Sequence, residues 1–325
     1  MPACPECWEE LDADIGQVED RMIAILGARQ AGKSHYLAAL FQKLLHDKVG
    51  GDTWRVETKP RMRQIIRRDF LRPLFRDQKE LPATQVGSQE SLRLVLTHKS
   101  GNRRVVLRFE DHSGEAIADR ERLAEAHFLR HASGVILLAD PLAFEPTAKG
   151  ARRAWHHGEP TCLDILENYR RVLQAAPRRR QDAELPLRPE QKYLAVVVTK
   201  ADLVLNRQHT FWASDDSEDH LTSGYWQSRN EDSELAAAWL RKRLEDPEIF
   251  EDAVDLFAET SYFFSSSFGY AHKPSAAIRK PVTPMRVHEA LFALLDRMGD
   301  GDETVARPGK LRPSRAIPED DDDVL

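Results

Sequence analysis

Arg21 to Leu45 constrains this chain more than any other stretch. A short apolar run, Met22 to Leu26, leads into Gly27-Ala28-Arg29-Gln30-Ala31-Gly32-Lys33-Ser34. Beyond it, Leu37, Leu40, Phe41, Leu44 and Leu45 fall on one helical face. The pattern is G-x-x-x-x-G-K-S between a buried strand and a helix, the setting in which the motif has a mechanism. Glycines at both ends let the backbone curl so that consecutive N–H groups point inward at phosphate oxygens. The helix N-terminus adds its positive dipole end. Lys33 is then placed to reach β- and γ-phosphates, and the Ser34 hydroxyl to ligate Mg²⁺. Gly27, Gln30, Ala31, Gly32, Lys33, Ser34 and His35 are the candidate contacts. The motif specifies a nucleoside triphosphate and leaves the base open.

Strands and helices alternate down the rest of the chain. Ser91–Thr97 alternates apolar and polar residues, and Arg104–Phe109 follows as a second strand. Gly134–Ala139 (GVILLA) and Tyr193–Val198 (YLAVVV) are continuous apolar runs, as expected of strands covered on both faces. Tyr262–Phe264 is the last, and an amphipathic helix is predicted from Thr283-Pro284 onward, carrying Val287, Leu291, Leu294, Leu295 and Met298 inward. The fold class this implies is α/β: a doubly wound, mostly parallel sheet flanked by helices, with sites at the C-terminal strand ends.

With 325 residues, 41% of them hydrophobic, the chain has enough material for one large domain. A net charge of −6 argues against general nucleic-acid binding. No apolar run approaches the ~18 residues that cross a bilayer, and the acidic N-terminus has no signal-peptide pattern. Three cysteines fit a reducing compartment, so the expectation is a cytoplasmic protein.

Three further motifs follow in order. Asp111-His112-Ser113-Gly114-Glu115 comes just after a strand; there Asp111 holds Mg²⁺ through water and Gly114 offers a backbone N–H to a γ-phosphate. Thr199-Lys200-Ala201-Asp202 fits [NT]-K-x-D, whose carboxylate accepts from the guanine N1–H and N2 amine while the lysine stem lies along the base. Adenine lacks that donor pair and would leave buried polar groups unpaired. Ser265-Ser266-Ser267 follows the last strand, where backbone N–H groups of Ser266 and Ser267 would meet the guanine O6.

Taken together, GARQAGKS, DHSGE, TKAD and the serine loop resemble the G1, G3, G4 and G5 motifs of Ras-like P-loop GTPases, nearest the translation-factor-related (TRAFAC) class. The resemblance covers about residues 20–298. The Cys4-Pro-Glu-Cys7 leader, the arginine-rich segment before the next strand and Ala139-Asp140-Pro141 are similar to the bacterial double-GTPase family. That resemblance implies GTP and GDP as ligands, Mg²⁺ as the metal, and a protein partner, with a second GTPase as the candidate, in a signalling or conflict system. It also implies a threonine that closes over the metal and γ-phosphate. Thr84 is the candidate, with Thr58 and Thr53 competing.

Two departures bear on catalysis. Glu115 stands where relatives place the glutamine that orients the attacking water, which predicts a low intrinsic rate. Arg29 lies in the phosphate loop, where it either supplies a built-in positive charge to the transferring phosphate or crowds it. Catalytic candidates are therefore Lys33, Arg29, Glu115 and Thr84, and the metal set is Ser34, Thr84 and Asp111. A scaffold that binds nucleotide without hydrolysis is the alternative, and an ATPase or small-molecule kinase the next.

The organisation read from sequence is a leader (1–19), a GTPase domain (20–299) with three insertions (about 50–83, 141–190 and 204–248), and a disordered acidic tail (300–325). Cys4 and Cys7 are half of a zinc site, with Cys162, His156 and His157 as distant candidates for the rest; zinc is possible but not favoured. Within 50–83, Met62, Ile65, Ile66, Phe70 and Leu74 define a helical face opposite a row of arginines. That row is either a solvated face or a surface for an acidic partner, phospholipid head groups or a second nucleotide.

Overall fold

The computed structural model describes residues 22–28, 30–47, 49, 53–82, 92–99, 104–109, 129, 132–143, 161–174, 192–205, 223–244, 246–272 and 277–298. The four-stranded sheet has the order β1 (Ile23–Gly27), β5 (Gly134–Ala139), β6 (Tyr193–Val198), β7 (Glu259–Phe264), every pair parallel. Parallel neighbours need crossovers, and helices supply them. Between β5 and β6 runs α3 (Cys162–Gln174); between β6 and β7 run α4 (Ser223–Arg241) and α5 (Pro247–Val254). These helices occupy parts of two segments that the sequence reading gave as insertions.

Both faces of this sheet are covered, which is why β1 and β5 are buried at every residue. Ile23, Ile25, Ile136, Leu138, Ala195 and Val197 face α1 (Lys33–Leu45) and α6 (Glu289–Arg297). Ala24, Leu26, Val135, Leu137, Leu194 and Val196 face α3, α4 and α5 on the other side. The period of two in each strand thus divides one apolar run between two cores.

A second, antiparallel sheet has the order β2 (Trp54–Glu57), β3 (Leu92–His98), β4 (Arg104–Phe109), with β4 lying alongside β1. The strands at 92–98, 104–109, 134–139 and 193–198 fall where hydrophobic patterning put them. β2 was not expected: WRVE is too short to show alternation, and it is held by pairing Val56 with Leu96 of β3.

Two helices differ from expectation. The arginine-rich segment begins as α2 (Pro60–Ile65) and continues as a π-helix, Ile66–Arg76. Pro73 sits inside it and has no N–H for an ordinary helical bond. The wider turn brings Ile66 and Leu74 under cover and sets Phe70 edge-on to Phe41 of α1. The last helix starts at Glu289, six residues after Thr283. Met285 instead exchanges backbone hydrogen bonds with Ser266, and Arg286 takes a left-handed φ of 55°.

Register fixes where a ligand can sit. Gly27 pairs with Leu138, Ala139 with Val198, and Val198 with Phe264. Four parallel strands therefore end level, and the loops that follow them open at a single edge of the sheet.

Candidate functional site

The first loop at that edge is the phosphate cradle. Gln30 and Gly32 both have positive φ, 64° and 86°, and Gly32 caps α1 without a side-chain bond. This backbone reversal turns the chain from β1 into α1, whose first ladder bond is Tyr36 N–H to the Gly32 carbonyl at 2.8 Å. Gly27 is tightly enclosed: a Cβ there would meet Leu138 Cβ at 3.1 Å and Ala31 Cβ at 3.2 Å. Lys33 is buried, and its Nζ donates to the carbonyls of Gly27 (2.8 Å) and Ala28 (2.9 Å). Its ammonium thus lies across the mouth of the cradle. Ser34 and His35 are half-buried in the first turn of α1.

The loop after β6 fastens onto that cradle. The Thr199 hydroxyl lies 3.1 Å from the Ala31 carbonyl and 3.2 Å from that of Ala139. Lys200, left-handed at φ 53°, donates from Nζ to the Gln30 carbonyl at 3.0 Å and to Asp140 Oδ2 at 2.6 Å. Asp140 is nearly buried and accepts from Leu142 N–H as well, so it anchors the lysine that reaches the phosphate loop. Sequence reading had no role for Asp140. An acid immediately after a fully buried strand was the available signal.

The third loop completes the cluster. The Ser266 hydroxyl donates to Asp202 Oδ1 and accepts from Gly269 N–H at 2.7 Å. Burial is the largest influence on the Asp202 carboxyl and pushes it above its usual range; the Ser266 hydroxyl, the backbone N–H groups of Asp202 and His272, and Lys200 pull it back. Such a carboxylate is desolvated yet incompletely paired, which suits it to two donors on a ligand. Ser265 and Ser266 are buried and Ser267 is half-buried, so Ser267 is the serine of the three nearest solvent.

Aromatic rings lie next to Asp202, another feature the sequence did not reveal. Phe268 stacks on His272 with ring centres 4.4 Å apart, and His35 is 5.4 Å from Phe268. Burial lowers the His35 pKa to about 4, against the pull of Glu80 and with help from His272 and Lys200. Neutral His35 accepts from Leu81 N–H at 3.3 Å, and Glu80 reaches His272 Nε2 at 2.7 Å. The stretch after the π-helix is thereby pinned between α1 and the β7 loop.

Arg29, Thr84, Asp111, Gly114 and Glu115 lie outside the described residues, as do Cys4, Cys7, His156 and His157. The rivals to Thr84 lie beside the antiparallel sheet. Thr58 donates to the Arg93 carbonyl, and the Thr53 carbonyl accepts from Lys99 N–H. Cys162 is in the core beneath β5 and β6, its thiol pushed up to about 12 chiefly by burial.

A glycine-bounded loop between strand and helix, bonded to a loop that carries a half-buried carboxylate, has the outline expected of a nucleotide site. Comparison with family models decides which kind: the double-GTPase 2 model matches residues 21–233, more than half the chain. The chain belongs to the double-GTPase 2 family. Its P-loop, Thr199–Asp202 and the strands between them fall inside the match, whereas Ser266 and Ser267 of this double-GTPase lie beyond it. A comparison with curated proteins returned no match. No helix among the described residues is long and apolar enough to cross a membrane.

Proposed function

We propose that this double-GTPase is a Mg²⁺-dependent switch of the TRAFAC class that binds GTP, hydrolyses it slowly, and signals to a partner protein. A second GTPase in a cytoplasmic bacterial signalling or conflict system is the partner implied. The observation that carries the reading is the bonding of Gln30 and Ala31 carbonyls by Lys200 and Thr199. It supports a single ligand with its phosphates at Lys33 and its base at Asp202. The working unit is residues 20–299.

On this reading the N–H groups of the cradle bind phosphate oxygens, and Lys33 exchanges two loop carbonyls for the β- and γ-phosphates. Ser34, in the first turn of α1 beside Lys33, fits Mg²⁺ because a hydroxyl is a hard oxygen donor. Among the described residues there is no cluster of His, Cys, Asp or Glu that would make a metal site without the phosphates. Thr84 and Asp111 complete the metal set, and the metal supplies charge neutralisation across the phosphates. Asp202 accepts from guanine N1–H and N2, with Ser266 and Ser267 at the O6 side. Glu115 orients water at the cost of added negative charge, and Arg29 supplies positive charge to the transferring phosphate.

Two measurements test this. Nucleotide extracted from the purified chain should be GDP or GTP; co-purified ADP or ATP would support a kinase or ATPase instead. Single-turnover phosphate release from bound GTP should be slow, Mg²⁺-dependent, and slower again in Arg29→Ala. Unchanged GTP in every condition, with and without partner, favours the non-hydrolysing scaffold that Glu115 motivates.

A further inference from the structure

The arginine-rich helix is absorbed by neither the cradle nor the base site. Between Pro60 and Arg76 the sequence carries six arginines and one acid, Asp69, in a chain whose net charge is −6. Its apolar face is spent on α1: Ile66 belongs to the main core, Leu74 packs with Ala38, and Phe70 meets Phe41. The opposite face is exposed, and an open groove of about 540 Å³ runs along it over Ile65, walled by Arg61, Arg67, Arg68, Arg72 and Arg76. Asp69 pairs with Arg68 at 2.6 Å and Asp77 with Arg72 at 3.4 Å, and these two acids are set against six arginines in the stretch from Pro60 to Asp77. The apolar side is already packed, so the helix cannot insert that side into a bilayer. What the groove offers is a row of planar donors suited to carboxylates.

The same chain carries a complementary run, Glu319-Asp320-Asp321-Asp322-Asp323, outside the described residues. Its tether starts in the right layer, because α6 and the arginine helix pack into one core cluster on the same side of the sheet. Roughly 22 residues separate Arg297 from Glu319, a contour of more than 70 Å at full stretch. Exposed ion pairs are individually weak. A short tether, however, supplies a local concentration near ~1 mM, enough to half-occupy even a millimolar contact.

We propose that the arginine-lined groove of α2 and its π-helical continuation docks the acidic run Glu319–Asp323 of its own chain. The run screens a face that otherwise attracts any polyanion, and a competing acidic segment has to displace it.

The probe is a fluorescent peptide of residues 316–325, titrated into the full chain with no nucleotide added, so the outcome is independent of the GTPase reading. In the neutral-tail chain (Glu319→Gln with Asp320, Asp321, Asp322 and Asp323 each →Asn) the groove is open. That chain should bind the peptide about twofold more tightly than wild type for a millimolar contact, and by more for a tighter one, and binding should weaken as salt rises. Arg67→Glu with Arg76→Glu in the neutral-tail chain should abolish binding; Arg67→Gln with Arg76→Gln does the same should charge reversal unfold the helix. Equal affinity for wild type and neutral-tail chains, or binding that survives loss of the arginines, overturns the proposal. Phosphatidylserine vesicles that bind wild type and neutral-tail chains alike would assign the face to lipid and overturn it too. Masking that disappears on dilution would assign it to the tail of a second copy, again against the proposal.

Discussion

At the scale of single residues, Asp202 and Gly269 make the sharpest predictions. Asp202 is a desolvated carboxylate already held by Ser266 and the His272 N–H. Asp202→Asn replaces an acceptor of two guanine donors with an amide that accepts only through its oxygen. Hydrogen bonds to charged groups are worth ~1.5–3 kcal/mol each, so GDP affinity should fall on the order of a hundredfold. Preference should move toward xanthine nucleotides, as read by competition binding. Unaltered base preference would remove Asp202 from the site. Gly269 is different, because its part is steric. It has φ +77°, and a Cβ there would lie 2.0 Å from the Thr283 carbonyl oxygen. Gly269→Ala must therefore both strain the backbone and push the 283 segment away, at a cost of about 2–3 kcal/mol or more. In a domain of this size that lowers Tm by roughly 3–5 °C. Gly32 provides the contrast: φ is +86° but nothing lies within 4 Å, so Gly32→Ala should cost only the backbone term, ~1 kcal/mol.

At the scale of elements, legibility in the sequence tracks how locally each feature is determined. GVILLA and YLAVVV could be read as strands because burial on both faces leaves no polar position in the run. The P-loop and TKAD stretches were legible as family motifs because their residue types recur at fixed spacings, and both lie inside the family match. β2 was not, since four residues owe their conformation to β3, and the start of α6 was not, since Met285 is captured by Ser266, nineteen positions away in sequence. The bonding roles of Asp140, which the sequence marks only through the family resemblance, and of His272 come from partners that only folding delivers. His35 falls among the candidate nucleotide contacts by its position after Ser34, and it also pins the stretch after the π-helix by accepting from Leu81 N–H. This has a pH consequence. Burial lowers its pKa from 6.5 to about 4, opposed by Glu80 and aided by His272 and Lys200. Between those values the unfolded chain binds a proton that the folded chain does not, so stability falls as pH drops from about 6.5 to about 4. His35→Gln keeps an acceptor without the titration. Its unfolding free energy should be flatter across that window than wild type, by up to ~1 kcal/mol per pH unit in urea titrations. Parallel profiles for the two chains would show that His35 does not carry the effect.

For the whole molecule, the decisive fact is that the strands of the parallel sheet end level and their loops are cross-bonded. Thr199 and Lys200 hold the loop after β1, Asp140 after β5 holds Lys200, and Ser266 after β7 holds Asp202. A ligand engaging Lys33 and Asp202 together would touch loops rooted in strands that share both hydrophobic cores. Its binding energy is then added to the stability of the sheet as a unit rather than to one flexible loop. GDP at one hundred times its dissociation constant should raise the unfolding free energy by about 2.7 kcal/mol. That corresponds to an upward Tm shift of roughly 4–5 °C in a domain of this size. ADP at the same concentration should give little shift, because the base end of the site would be left unpaired. Lys33→Ala should remove most of the GDP shift, having lost the cation at the cradle, while leaving the unliganded Tm within a few degrees. Asp202→Asn should lose the guanine preference but keep a residual shift from phosphate contacts. Differential scanning of the three chains with each nucleotide reads all of this at once. A GDP shift that survives both substitutions would place the nucleotide elsewhere and break the link between these loops and the ligand.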